Sequence, residues 1–305
     1  MAEREAIMGS IKRRGFLQMT AGMLSALPAA AEGEVSGGGA RQAFSAFDRV
    51  KIGNTGLETS RLCFGTGFKA FNRVSEQTRL GRPVFIKLLR AGYERGIRCF
   101  DTADLYGSHT HLAEALAPFP RDSYLLISKI WWRKGGVPDE DKTDVPSQIE
   151  RFLKEMATDR IDIVQMHCVD KGSWAIELAD MIAALDACKR AGKIRAHGVS
   201  IHGLAALQAC PEVPWLDVAH VRINPFGEKM NGPVEDNVKA IRELKKKGKG
   251  VIGMKILGEG TFSNNSGKVD ESLAFTLKGG LADVLNIGFL NEHQIDDIAL
   301  RIAKV

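Results

Sequence analysis

The chain has 305 residues, of which 44% are apolar and 26% charged, a composition typical of a soluble globular protein. Its mild formal charge of +5 is spread along the sequence, so composition does not indicate nucleic-acid binding. The five cysteines form no CxxC pair, which argues against a zinc or iron–sulfur site, and we predict no metal. An odd count disfavours a full disulfide framework, although a single Cys63–Cys99 bridge is an open alternative.

The N-terminal segment has the plan of an export signal. Basic residues at 12–14 precede an apolar run and the small residues Ala29–Ala31, as in a secretory signal peptide. The stretch RRGFLQ (13–18) resembles the twin-arginine motif that bacterial export machinery recognises. We therefore predict an export signal over residues 1–31, a flexible Gly/Ser/Ala-rich tether over 32–46, and a periplasmic protein. A disordered or amphipathic N-terminal arm is the alternative.

The apolar run of the predicted signal also bears on membrane insertion. It covers residues 19–31, which is too short to span a bilayer comfortably as a helix. We therefore expect no stable membrane insertion. Reduced nucleotide should be scarce outside the cytoplasm, so any nucleotide cofactor is expected to be bound tightly and exported inside the folded protein.

Eight short apolar runs alternate with helical patterns after the tether. They cover residues 61–65, 97–100, 124–130, 161–167, 194–199, 218–223, 251–257 and 284–287. Most are continuously apolar, as expected of strands that are buried on both faces. The alternation predicts an α/β fold, a (β/α)8 TIM barrel over residues 47–305. A doubly wound open sheet is the main rival, but no GxGxxG follows the first strand.

Local signals add detail to this barrel. A turn signal at Asn54-Thr55-Gly56 predicts an N-terminal β-hairpin before the first barrel strand. Apolar residues recur with helical spacing over 149–156, and SQIE (147–150) predicts a capping box at the start of that helix. The polar, Gly-rich residues 258–270 predict a loop after the seventh strand, where barrels place binding loops.

Polar side chains stand at the ends of three successive predicted strands. Asp101 ends the second strand, with Tyr106 just beyond it; Lys129 lies near the end of the third, and His167 ends the fourth. Charged groups are costly to bury unless they are paired, and neighbouring strands would bring these groups together. Each residue alone has an ordinary structural explanation, such as a packed tyrosine or a core histidine. Their order along the strand ends favours one common site.

The chemistry of such a group is coherent. A nearby Lys129 cation would lower the pKa of Tyr106 from about 10, and Asp101 would pair that lysine. Tyr106 could then give a proton to a carbonyl oxygen while His167 orients the carbonyl. These residue types therefore predict carbonyl reduction by a nicotinamide cofactor.

At these residues the sequence resembles the aldo-keto reductase family, through GIRCFDTADLYG (96–107), YLLISKIWW (124–132) and RIDIVQMHCVD (160–170). The resemblance implies a (β/α)8 barrel that binds NADP or NAD without a Rossmann domain and reduces small aldehydes or ketones. It implies that Tyr106 is the general acid, that Lys129 and Asp101 tune it, and that His167 orients the substrate. Asp104 matches no catalytic position of the family, and we expect it to be a loop residue.

The resemblance also implies cofactor-binding positions. They are Gly65, Thr66, Gly67, Ser200, His202, His220, Lys255, Gly258, Gly288 and Gln294. Three residues depart from the family pattern: Ile201 stands where asparagine is usual, His220 where glutamine is common, and Met254 where a tyrosine often stacks on nicotinamide. Residues 286–297 also lack the lysine or arginine that usually binds the 2′-phosphate, which leaves NAD and NADP both open.

The resemblance bears on the substrate pocket and on the oligomeric state. The chain ends directly after the last predicted helix, so we expect an open pocket shaped by residues 130–144 and 258–270. Trp131 and Trp132 are candidates for its wall. We expect a monomer whose partners are a small carbonyl substrate and the export machinery.

Two other functions remain open at this point. A non-enzymatic barrel could bind nucleotide to sense redox state or to contact a partner protein. A sugar-processing barrel would need paired carboxylates at strand ends, and the sequence shows no convincing pair.

Overall fold

The strands of the protein close into a parallel barrel behind an antiparallel hairpin. A computed structural model describes residues 44–305. The strands are β1 Arg49–Lys51, β2 Glu58–Ser60, β3 Leu62–Gly65, β4 Cys99–Asp101, β5 Leu125–Ile130, β6 Ile161–Val169, β7 Ile194–Ile201, β8 Val218–Arg222, β9 Gly250–Met254 and β10 Val284–Gly288. Strands β3 to β10 follow one another around the barrel, which closes where β10 pairs with β3. All eight predicted barrel strands and the hairpin are confirmed.

Helices connect successive barrel strands on the outside. They are α1 Arg82–Glu94, α2 His109–Leu116, α3 Val145–Glu155, α4 Trp174–Glu177, α5 Ala179–Arg190, α6 Leu204–Ala209, α7 Val234–Lys246, α8 Ser266–Lys278 and α9 Glu292–Ile302. Each connection from β3 onward contains at least one of them, which gives the βα alternation of a TIM barrel. None of the helices in residues 44–305 is long and apolar enough to cross a bilayer.

The pleat of the strands divides their side chains between two apolar layers. Alternate residues point to opposite faces of a strand. On β3 and β4, Cys63 and Cys99 belong to the cluster inside the barrel, whereas Phe64 and Phe100 belong to the layer beneath the helices. The interior cluster of the barrel strands consists of Cys63, Cys99, Leu125, Ile127, Ile163, Ala196, Val218, Ile252 and Val284. The middle of the barrel is therefore a packed core, and polar groups are confined to its ends.

The hairpin closes the amino-terminal end of this barrel. Strands β1 and β2 pair antiparallel, and the turn between them places Ile52 and Leu57 in the interior cluster. The backbone N–H of Asn54 donates to the Gly248 carbonyl at 2.8 Å, which fixes the hairpin to the segment before β9. The hairpin thereby blocks one end of the barrel and leaves the other end for a site.

Residues just before the hairpin also pack against the barrel. Ala46 is buried, and its carbonyl accepts a hydrogen bond from the N–H of Leu62 at 2.8 Å. Phe44 packs against the outer core. The packed part of the chain therefore includes residues 44–46, which the sequence analysis assigns to the tether. The predicted export signal lies outside the described residues.

Two local predictions are wrong. Helix α3 begins at Val145, because the Asp144 carboxylate accepts the N–H of Ser147 at 3.0 Å; Ser147 is therefore inside the first turn and does not cap the helix. The predicted loop over 258–270 ends early, because the Asn265 side chain caps α8 by accepting the N–H of Lys268 at 3.0 Å. In both cases the residue immediately before the helix supplies the cap.

The cysteines do not form the alternative bridge. Cys63 and Cys99 lie on neighbouring strands inside the barrel as free thiols, and the other three cysteines are also free. They act there as small apolar side chains.

Candidate active site

The same pleat that fills the barrel places polar groups at its carboxyl end. On β4, Asp101 is the next inward residue after Cys99, and on β5, Lys129 is the next after Ile127. On β6, His167 comes four residues after the inward-facing Ile163 and therefore also faces inward. The three predicted strand-end residues therefore lie on the inner surface of the barrel, directly above its apolar core.

A buried ion pair lies at the centre of the site. The Lys129 ammonium donates to the Asp101 carboxylate and, at 2.9 Å, to the carbonyl of Thr102. Both charged side chains are almost completely removed from solvent. Because an unpaired charge at this depth would be very unfavourable, each member of the pair requires the other.

The Asp101 carboxylate also has polar neighbours from two further strands. The Asn286 side-chain amide on β10 donates to Asp101 Oδ2 at 2.8 Å, and His220 Nε2 on β8 lies 3.5 Å from Oδ1. Sequence reasoning missed Asn286. The signal was the one that identified Lys129 and His167, a polar residue inside an otherwise apolar strand.

Tyr106 lies in a single helical turn after β4, over Asp104–Tyr106. Gly107 ends this turn in the left-handed region at φ +68°, which glycine adopts readily. Tyr106 Oη lies 3.4 Å from His167 Nε2, and Lys129 Nζ lies 4.9 Å from the centre of the phenol ring. The four predicted catalytic residues are therefore brought together.

Gly67 lies directly against the tyrosine. A Cβ atom at this position would be 2.4 Å from the Tyr106 ring, so any larger side chain would displace the ring. The ring thus packs against bare backbone of the loop after β3, which limits where the phenol oxygen can lie.

A second set of charges holds the turn that carries Tyr106. The Asp104 carboxylate is buried and accepts hydrogen bonds from Arg73 and Arg151, each at 2.7 Å. Arg73 belongs to the loop after β3, and Arg151 lies on α3. Asp104 is a loop residue, as expected, but one that joins the turn to two neighbouring elements. No local pattern predicts these contacts, because both arginines are distant from Asp104 along the chain.

The pKa of Tyr106 shifts in the direction opposite to our expectation. Burial, followed by the charge of Asp101, raises this pKa well above its ordinary value. The expected lowering of this pKa by Lys129 is absent: the ammonium is paired with Asp101, donates no hydrogen bond to the phenol oxygen, and lies 4.9 Å from the centre of the ring. The phenol is therefore protonated at neutral pH and is available as a proton donor.

His167 is the neutral partner of this phenol. Burial, together with the Lys129 charge, lowers the pKa of His167 well below its ordinary value. The indole N–H of Trp132 donates to the His167 carbonyl at 2.7 Å, and the Trp131 ring packs edge-to-face against the imidazole at 5.4 Å. The two tryptophans predicted for the pocket wall thus hold His167 in place.

A cleft of about 230 Å³ runs from Tyr106 across the ends of β9 and β10. Five of the predicted cofactor-binding residues line it, namely Gly65, Gly67, Lys255, Gly288 and Gln294. Met254 also lines it, at the position where the family often has tyrosine. These positions form one continuous surface next to the ion pair.

The other five predicted cofactor-binding residues lie outside the lining of this cleft. The Thr66 hydroxyl donates to the Asp101 carbonyl at 2.8 Å, and Gly258 is buried at φ +58°. His202 Nε2 lies 3.4 Å from Cys168 Sγ. Burial lowers the pKa of His202, and likewise that of His220, to about 3. Their roles in binding stay predictions, as does the role of Ser200.

Two buried polar atoms test whether a nicotinamide dinucleotide fits. Ser200 Oγ and Asn286 Oδ1 have no hydrogen-bond partner within residues 44–305, although both are shielded from solvent. Such atoms suit an amide-bearing ligand, and the glycine-lined cleft suits an extended one. The residues therefore fit the nicotinamide half of the cofactor. The part of the chain that the structure describes contains no group of three or more side chains placed to bind a metal.

The fold and the site define a (β/α)8-barrel protein with a Tyr–Lys–Asp–His group at the carboxyl ends of its strands. The sequence model of the Aldo/keto reductase family matches residues 61–278, and the chain belongs to this family. Aldo-keto reductase YhdN of Bacillus subtilis is 29% identical over 195 residues, 61% of this chain and 56% of that protein. Methylglyoxal reductase YeaE of Escherichia coli is 32% identical over 137 residues, 44% of each chain.

Solved structures agree in fold. A putative aldo-keto reductase from Pseudomonas aeruginosa superposes with a TM-score of 0.69 at 22% identity, over 85% of this chain and 96% of that one. The aligned part of this chain spans about half the length of the curated relatives it matches.

We predict that replacing His220 makes the protein less sensitive to acid. The unfolded histidine gains a proton near its ordinary pKa, whereas the folded one stays neutral down to a pKa of about 3. Its contribution to stability is therefore present above the unfolded pKa and is lost as the pH falls. Between pH 7 and pH 5 this loss is about 2 kcal/mol of unfolding free energy.

Urea denaturation of the wild type and of His220→Gln at both pH values measures the difference. The variant should lose about 2 kcal/mol less than the wild type over this interval. His293→Gln, at an exposed position on α9, is the control and should behave like the wild type. Identical pH dependence in the wild type and His220→Gln would contradict the prediction.

Proposed function

We propose that the protein is an oxidoreductase that reduces a small aldehyde or ketone to an alcohol with NADPH or NADH. The observation that carries the proposal is the Tyr106–His167 contact of 3.4 Å beside the buried Lys129–Asp101 ion pair, at the end of a glycine-lined cleft. A neutral phenol and a neutral imidazole are suited to act on a carbonyl oxygen without repelling a developing negative charge.

The residues divide the work of reduction. Bound nicotinamide supplies the hydride. Tyr106, protonated because of its raised pKa, donates its proton to the carbonyl oxygen. His167 hydrogen-bonds to the same oxygen and orients it, while the Lys129 ammonium packs against the phenol ring at 4.9 Å. Asp101 keeps the lysine in position.

Named relatives support the class of reaction. Methylglyoxal reductase YeaE acts, by its name, on a small carbonyl compound, and L-galactose dehydrogenase of Arabidopsis thaliana is 30% identical over 156 residues. Both names describe exchange between carbonyl and alcohol.

We further propose that NADH binds at least as tightly as NADPH. A 2′-phosphate requires cationic partners, and the far end of the cleft carries Gln294 and Asp297. Two nearby cations already have carboxylate partners: Lys255 pairs with Glu259, and Arg301 pairs with Asp297 at 2.8 Å. NADPH would have to displace these partners, whereas the 2′-hydroxyl of NADH would not.

Replacement of Tyr106 tests the proposed reaction. Tyr106→Phe keeps the ring and removes the acid, so turnover of an aldehyde substrate should fall at least about 100-fold. Nucleotide binding, followed by cofactor fluorescence, should change less than about twofold. Tyr93→Phe is the matched control, because that hydroxyl contacts Ser123 outside the site.

Unchanged turnover in Tyr106→Phe would show that another group is the acid. Nucleotide binding by the wild type without turnover of any aldehyde or ketone would favour the non-enzymatic nucleotide-binding alternative.

An added cation tests the proposed nucleotide preference. Gln294→Arg places a positive charge in the cleft and should favour NADPH over NADH by about tenfold relative to the wild type. His293→Arg adds the same charge at the neighbouring exposed position and should leave the preference unchanged. A wild type that binds NADPH far more tightly than NADH would refute the preference, whatever the variants do.

We also propose that the protein is exported after folding, with its nucleotide bound. The support is the sequence RRGFLQ at 13–18 within the predicted leader. Replacing both Arg13 and Arg14 by lysine should retain the protein in the cytoplasmic fraction of a bacterial host. Arg4→Lys, outside the motif, should not. A wild-type protein found wholly in the cytoplasm, or a periplasmic one without nucleotide, would contradict the proposal.

A further inference from the structure

Four cationic side chains surround the end of the barrel where Tyr106 and His167 lie. Each of these charges acts on the thiol of Cys168, the residue after His167: burial raises the pKa of this thiol, and the four charges lower it. They are Lys129, Arg133, Arg222 and Lys255. Three of them have a carboxylate partner: Lys129 pairs with Asp101, Arg133 with Asp170, and Lys255 with Glu259.

Arg222 is the exception. No carboxylate within residues 44–305 lies within ion-pair distance of its guanidinium, although Glu259 acts on it from further away. Its Nη1 donates to the neutral Asn231 side chain at 2.9 Å. Its Nε is shielded from solvent and has no partner. The mouth of the barrel therefore carries one surplus positive charge, on a partly buried group with unsatisfied donors.

The free donors of Arg222 lie on one edge. Nε and Nη2 form the side of a guanidinium that binds a carboxylate with two parallel hydrogen bonds. Among the described residues neither atom has a hydrogen-bond acceptor, whereas Nη1 is occupied by Asn231. The edge that remains has the planar, two-donor geometry that matches a carboxylate.

The strand pleat sets the position of this edge relative to the site. Val218 and His220 are the preceding inward residues of β8, and Arg222 is the next one. It therefore lies about 7 Å further along the strand than His220, whose ring contacts the Asp101 ion pair. Arg222 also pairs in register with Met254, which lines the cleft.

Neighbouring groups confirm that the guanidinium faces the reacting end. Its charge is the main contribution, after burial, to the lowered pKa of His202, and the rings of His202 and His167 are 6.1 Å apart. Asn231, which holds Arg222, also contacts the carbonyl of Ile201 at 3.4 Å at the end of β7. Arg222 is thus held at the rim of the barrel, near the imidazoles of His202 and His167.

We infer that Arg222 determines specificity for an anionic substrate, an aldehyde or ketone that also carries a carboxylate. The guanidinium edge binds the carboxylate while the carbonyl lies between Tyr106 and His167. The inference rests on the proposed function: hydride from reduced nucleotide and the Tyr106 proton convert the carbonyl to an alcohol, and the carboxylate is unchanged. Neutral carbonyl compounds are poorer substrates because they leave the Arg222 charge unpaired.

Matched acids and esters provide the test. The probes are 4-oxobutanoate and 4-formylbenzoate, each with its methyl ester, which keeps the carbonyl and removes the charge. In the wild type, kcat/KM for each acid should exceed that for its ester by at least about tenfold. Arg222→Met should reduce this ratio to about one, mainly by raising KM for the acids, since the acid group of Tyr106 is untouched.

Two further variants control for structural effects. Arg222→Lys restores the charge without the two-donor edge and should recover only part of the preference. Arg242→Met removes an exposed arginine from α7 and should match the wild type. Thermal unfolding of each variant checks that it folds.

Three results would overturn the inference. Equal kcat/KM for acid and ester in an active wild type would refute the anionic substrate and leave the proposed function intact. An Arg222→Met protein that loses nucleotide affinity while its acid preference persists would assign Arg222 to a cofactor phosphate. Binding of succinate, measured by calorimetry without turnover, should be lost in Arg222→Met; absence of binding to the wild type would refute the anion site even if no reduction is detected.

Discussion

The buried ion pair between Asp101 and Lys129 is the constraint on which the site depends. Neither charge is tolerable alone at this depth, and removal of one partner from such a pair typically costs about 3–5 kcal/mol. Its presence therefore fixes neighbouring positions on β4 and β5 and draws polar partners from β8 and β10. Formation of this ion pair is therefore needed both for stable packing of β4 and β5 and for assembly of the site.

The pair also explains the protonation of the groups above it. Burial, followed by the charge of Asp101, keeps the pKa of Tyr106 high. The Lys129 ammonium does not offset this effect, because it is paired with that carboxylate. The same ammonium, together with burial, keeps His167 neutral. The site thus presents a protonated phenol and a neutral imidazole side by side. This arrangement is the basis of the proposed carbonyl reduction.

Charge is distributed unevenly around the site. Beside Tyr106, Lys129 has Asp101 as its carboxylate partner, and the turn that carries the phenol is held by the buried Asp104 between two arginines. At the rim, Arg222 has only a neutral amide. The charges that hold Tyr106 in place are therefore paired, whereas the unpaired charge of Arg222 lies at the rim of the barrel. At the far end of the cleft, Lys255 and Arg301 are already paired with carboxylates.

The amino-acid sequence by itself determined the strands, the hairpin and the four residues of the central group. Those features depend on local patterns: a continuous apolar run, a turn signal, or a charged residue interrupting a buried strand. The tertiary structure decided what depends on distant partners. Asp144 rather than Ser147 caps α3, Asp104 joins two arginines, Asn286 reaches Asp101, and Arg222 lacks a carboxylate. The direction of the Tyr106 pKa shift belongs with these, because it depends on the burial of the phenol and on its distance from Asp101, and spacing along the chain does not specify either.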